Sequence, residues 1–201
     1  MAIETITVIG AGPLGRAIAC DAASGAYKTI LEDISRTTLE QALAWIEQAL
    51  RERGNEGESD ALARDAALAR LSTSVTVEEA VREGDLIIET VPEEMEMKIE
   101  LFTIFDKFAK PQAILATSAG SLSITEMAAI TFCPERCVAM RFSDTASGVG
   151  RLELVRGAKT SEETVRLCSV VGRRMGKQVV TIDDGERGNA VHNLRVASAQ
   201  G

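Results

Sequence analysis

Residues 10–15 read Gly-Ala-Gly-Pro-Leu-Gly, and an aspartate, Asp33, follows eighteen positions after Gly15. The glycine string comes directly after an apolar run, TITVI, and opens a helix-forming segment. In that setting Gly10 permits a tight turn, Gly12 lets the backbone approach a pyrophosphate, and Gly15 lets helix and strand pack closely. Pro13 and Leu14 fill the turn, and the free amides of a helix start suit phosphate oxygens. Asp33 at the end of the next strand would accept hydrogen bonds from both ribose hydroxyls and repel a 2′-phosphate, which favours NAD over NADP. Arg36 nearby weakens that preference slightly.

A second group lies in VAMRFSDTASGVGRLELV, residues 138–155. Arg141 stands at the end of one strand pattern and Glu153 within the next. An arginine holds an anion but does not accept a proton at ordinary pH. The two residues therefore read either as an anion grip with a nearby carboxylate base, or as an ion pair. Contact with Arg141 would lower the glutamate's pKa and make it a weaker base.

Strand and helix patterns alternate along the chain and position these groups. Strands are expected at 5–10, 28–33, 71–75, 85–91, 112–118, 136–142, 151–155 and 177–182, with helices between most of them. Leu39, Leu43, Ile46 and Leu50 recur at helical spacing, GNEGESD (54–60) reads as a turn, and 61–71 as a further helix. The expected fold is α/β, a Rossmann-type, mainly parallel doubly wound sheet with an inserted helical pair after the second strand. Residues 1–184 form the dinucleotide-binding domain, and 185–201, with His192, read as a poorly ordered tail.

The net charge is −8 and the pI about 4.9, which excludes nucleic acid and anionic membrane surfaces as natural partners. No apolar run is long enough to span a membrane, and the first residues lead straight into a strand pattern with no signal segment. Cys20, Cys133, Cys137 and Cys168 form no CxxC pair. A zinc site is not expected, and a reducing, cytoplasmic setting is.

Beyond the glycine turn, three stretches carry a family resemblance: DLIIETVPEEMEMKIELF (85–102), PQAILATSAGSLSITEMA (111–128) and PERCVAMRF (134–142) continuing to LELVRG and TSEET. With VIGAGPLGRAIA (8–19), the chain resembles the NAD-binding domain of the 3-hydroxyacyl-CoA dehydrogenases over about residues 3–184. The resemblance implies NAD as cofactor, a small-molecule substrate (an acyl-CoA or other anion) and a place in fatty acid metabolism. It also implies that Val91, Pro92, Glu93, Lys98 and Ser118 join the cofactor site, Glu93 and Lys98 beside the nicotinamide half. The residue-level alternative for those two is a pair of solvated charges at a helix start.

Several family positions differ. The catalytic histidine of the family is matched by Arg141, its asparagine by Ser118, and its substrate-contacting serine by Gly120 with Ser121 adjacent, while the glutamate that orients the histidine is kept as Glu153. Around the inserted helices, RERGNEGESD offers only Arg51 and Arg53 to a CoA nucleotide arm. The family's C-terminal helical domain has no counterpart in these 201 residues, so self-association or a partner chain is expected. Two functions stand open: a dehydrogenase with altered substrate, or a non-catalytic NAD-binding or sensing module that works with a partner.

Overall fold

The computed structural model describes residues 2–53, 58–143 and 150–184. Part of the expected 54–60 turn, residues 144–149 and the 185–201 tail with His192 lie outside the described residues. The chain alternates β1 (Thr5–Ile9), α1 (Pro13–Ser24), β2 (Lys28–Glu32), α2 (Arg36–Arg53), α3 (Glu58–Leu68), β3 (Leu71–Ser74), α4 (Val77–Glu83), β4 (Leu86–Glu89), α5 (Met95–Phe108), β5 (Ile114–Thr117), α6 (Ile124–Ala128), β6 (Cys137–Ser143), β7 (Arg151–Arg156), α7 (Glu162–Arg174) and β8 (Gln178–Asp183).

The eight strands form one sheet in the order β3-β2-β1-β4-β5-β6-β7-β8, parallel except where β6 meets β7. Every residue of β1, β4 and β5 is buried, as expected for strands covered on both faces. One face packs against α1, α2 and α7 through Ile18, Ile46 and Val171. The other packs against α4, α5 and α6 through Val81, Phe102 and Met127. The inserted pair α2–α3 joins the first face, with Leu39, Ala42, Leu50 and Ala67 in its core.

After β1 the chain moves outward to β2 and β3, then returns to the other side of β1 for β4. That reversal opens a crevice at the C-terminal ends of β1 and β4, the usual ligand position in such sheets. The first five strands are shorter than the sequence suggests. Asp85 precedes β4 rather than lying in it, and its carboxylate accepts the Glu4 and Thr5 amides at 3.0 and 2.9 Å. No helix among the described residues is long and apolar enough to cross a membrane.

Candidate dinucleotide site

Gly10 follows β1 with φ = +97°, a left-handed backbone that suits glycine. Thr90, after β4, fastens this turn. Its amide donates to the Ile9 carbonyl at 2.8 Å, and its hydroxyl lies 2.9 and 3.0 Å from the Ile9 and Gly10 carbonyls. A Cβ on Gly15 would sit 1.8 Å from the Gly10 carbonyl oxygen, so α1 meets the turn only because that side chain is missing. Gly12 is the opposite case: a Cβ there would meet no described atom within 4 Å. It caps α1 with no side-chain hydrogen bond, and Pro13 takes the first helical position. The helix start is thus open at Gly12 and has no side-chain cap, with the helix dipole behind it.

Asp33 holds this arrangement from the β2 side. Its carboxylate accepts the Ala11 amide at 3.0 Å and the Ser35 amide at 2.9 Å. A carboxylate has about four acceptor positions, so two remain for ribose hydroxyls. Beside it Ile34 is 85% exposed, an apolar surface next to Asp33 that the motif did not reveal. The glycine cradle, uncapped helix start, Asp33 and Ile34 fit a dinucleotide.

Lys98 corrects one expectation. It is fully buried, and its ammonium donates to Glu89 Oε1 and Oε2 at 2.7 and 2.8 Å and to the Val91 carbonyl at 3.1 Å. Those three partners use its three donors, so Lys98 is neither a solvated charge nor free to touch a cofactor in this conformation. Glu89 also accepts the Val91 amide at 2.6 Å and the Thr117 hydroxyl at 2.7 Å. The buried pair therefore fixes both polar groups of Val91. Val91 and the exposed Pro92 are left to offer surface rather than donors.

Glu93 is exposed yet tied down. It accepts the Gly120 and Leu122 amides at 3.0 and 3.2 Å, the Ser121 hydroxyl at 2.8 Å and the Ser121 amide. Its partial burial raises the carboxyl pKa, but the Ser121 and Gly120 hydrogen bonds outweigh this and hold it down at about 2. Glu93 clamps the loop after β5 to the loop after β4 instead of serving the start of α5. Ser118, half-buried at that loop's beginning, donates its amide to the Glu89 carbonyl at 2.8 Å.

Arg141 and Glu153 are direct register partners across β6 and β7, but the ion pair that is one of the two readings of them is not formed. Side chains two residues apart on a strand share a face, and Glu153 pairs with Arg151 at 2.9 Å. Arg141 Nε instead donates to the Ala119 carbonyl at 2.8 Å, and its Nη2 is buried with no hydrogen-bond partner among the described residues. Arg53 is likewise held by Asp21 at 2.8 Å and Arg51 by Glu47, so both arginines considered for a CoA arm already have acidic partners. No group of three residues suited to a metal occurs among the described residues.

Sequence reasoning placed the glycine turn but passed over Thr90, Ile34 and the role of Glu89. The signal for Glu89 was present: an acid inside the apolar run LIIE, which burial makes costly unless a cation such as Lys98 meets it.

A family model described as 3-hydroxyacyl-CoA dehydrogenase, NAD binding domain, matches residues 5–185. A probable 3-hydroxybutyryl-CoA dehydrogenase of Bacillus subtilis (strain 168) is 34% identical over 184 residues, covering 92% of this chain and 64% of its own length. A 3-hydroxyadipyl-CoA dehydrogenase of Escherichia coli (strain K12) is 35% identical over 178 residues, covering 89% of this chain and 37% of its own. Among solved structures, 3-hydroxybutyryl-CoA dehydrogenase from Escherichia coli K12 superposes with a TM-score of 0.85 at 31% identity, covering 100% of this chain and 44% of that one. The chain thus spans less than two thirds of the length of these relatives.

Proposed function

This chain belongs to the 3-hydroxyacyl-CoA dehydrogenase family through that family's NAD-binding domain, and on that premise we propose that it seats NAD along the crevice at β1, β2 and β4 while serving poorly, if at all, in the family's hydroxyl oxidation. Oxidising a hydroxyl with NAD needs a hydride acceptor and a proton acceptor. NAD supplies the first. The second is the task for which a histidine near neutral pKa is suited.

The observation that carries this reading is the state of the β6–β7 rim. Arg141 occupies the position matched to the family histidine, stays protonated, and is anchored by the Ala119 carbonyl. Glu153, the carboxylate opposite, is engaged by Arg151. Neither is arranged to take a proton from a hydroxyl. The chain then acts as an NAD-binding module, with a 3-hydroxyacyl-type or other small anion as the ligand class at the rim.

The buried Nη2 of Arg141, without a hydrogen-bond partner among the described residues, favours a second reading. In the reductive direction a fixed guanidinium can polarise a carbonyl or grip a carboxylate without giving up its own proton. That reading keeps hydride transfer but changes the substrate.

Calorimetric titration with NAD, followed by assay of acetoacetyl-CoA reduction with NADH, tests the proposal. We expect binding, with turnover about 10²–10⁴-fold below that of a histidine-bearing relative. Absence of NAD binding at millimolar concentration would overturn the cofactor role, and turnover equal to the relative's would overturn the mechanistic part.

A further inference from the structure

Glu32 ends β2 with its side chain 2% exposed. The alternation of β2 places it on the face of Ile30, among the core residues that pack against α4 and α5. Its register partners are Ile9 on β1 and Ser74 on β3, neither of them charged. Oε1 has no hydrogen-bond partner among the described residues. The charged groups acting on it are Asp33, just past the end of its own strand, and Glu78 on α4, both acidic. A buried ionised carboxylate facing two like charges and no cation is strongly disfavoured. Burial first, then Asp33 and Glu78, push its carboxyl up to about 7.

Its position ties this acid to the nucleotide site. The Glu32 carbonyl accepts the Gly10 amide at 2.9 Å, and the next residue's carboxylate holds the Ala11 amide at 3.0 Å. Glu32 therefore lies between the turn that receives the pyrophosphate and the acid that receives the ribose. Asp33 must stay ionised to accept two hydroxyls, and a dinucleotide brings two further negative charges to the same end of the sheet. Each makes an ionised Glu32 less tolerable.

We infer that Glu32 is a proton-linked residue of the nucleotide site, holding its proton more tightly when the dinucleotide is seated. This rests on the NAD-binding reading above. Glu32 neither touches the reacting atoms nor replaces Asp33; it sets the charge of the floor on which Asp33 and the glycine turn stand. Near and above neutrality, NAD binding draws a proton from solution onto Glu32, and affinity falls as the pH rises.

The test is calorimetric titration of the intact protein with NAD at pH 6.5, 7.5 and 8.5, each in two buffers of different ionisation enthalpy. The wild type should take up a fraction of a proton per NAD at pH 7.5, and its affinity should fall about sixfold across the range if the bound state raises the carboxyl by about one pKa unit. Glu32→Gln and Glu32→Val, both neutral, should bind with no uptake and a flat profile; the valine variant serves if a buried amide prevents folding. Wild-type binding without proton uptake, or uptake that persists in the variants, would overturn the inference. Absence of any binding heat at all three pH values would instead overturn the NAD-binding reading together with this one.

Discussion

Arg141 and Glu153 face each other across the one antiparallel step of the sheet, yet they do not pair: the arginine bonds the Ala119 carbonyl and the glutamate bonds Arg151. A directly opposed strand pair is normally close enough for opposite charges to meet. Here Arg151, two residues from Glu153 on the same face, reaches the carboxylate instead. The carboxylate that would orient a histidine is thus already held.

Arg141→His should therefore restore little. The new imidazole would meet a Glu153 engaged elsewhere and a serine, Ser118, where the family has asparagine. Reduction of acetoacetyl-CoA should rise by less than about tenfold, and Arg141→His with Arg151→Gln should exceed the single variant, because orientation of the base accounts for part of general-base catalysis. Steady-state kinetics on both variants checks this.

Lys98→Met should be among the most damaging single changes. It leaves the buried Glu89 carboxyl without its cation, with Val91 no longer held at its carbonyl. Breaking one side of a buried pair costs about 3–5 kcal/mol. Urea unfolding should show that loss, and Lys98→Met with Glu89→Gln should be less destabilised than Lys98→Met alone.

The Glu93 clamp gives an acid-side signature. Its folded pKa of about 2 lies below the ordinary 4.5, so it favours folding above about pH 4.5 and that contribution disappears as the pH falls through about 2. Glu93 is exposed, so the size is on the order of 1 kcal/mol or less. Wild type and Glu93→Gln should differ in denaturant midpoint at pH 7 and converge toward pH 2.

Asp33→Asn should weaken NAD binding about tenfold, since a charge-assisted acceptor for the ribose hydroxyls becomes a neutral one. It should also narrow the preference for NAD over NADP, because the repulsion of a 2′-phosphate is removed. Parallel titrations with the two dinucleotides measure both effects.

The architecture was legible because local signals agree: apolar β-branched runs, a glycine turn and an acid at the right offset describe the parallel sheet and its crevice. The cofactor cradle was legible for the same reason, since Gly10, Gly12, Gly15 and Asp33 act through backbone geometry within one βαβ unit. Long-range pairing was not. Lys98 read as a cofactor contact or, alternatively, a solvated charge at a helix start, because its partner Glu89 lies on a different element, β4. The Arg141–Glu153 ion-pair reading failed likewise, because register places two residues opposite each other but does not decide which neighbour a long side chain reaches. Glu32 looked like one more strand residue until its burial was seen, with Oε1 unpartnered among the described residues.

The most direct measurement of the central claim is a paired experiment on one preparation: calorimetric NAD binding, then acetoacetyl-CoA reduction by NADH with the same protein at a known occupied fraction. NAD binding with turnover at least about 100-fold below a histidine-bearing relative is the expected result, the scale of one lost general acid–base group. Saturated protein that turns over at the relative's rate would contradict it, and would mean that Arg141 and Glu153 perform the proton step after all.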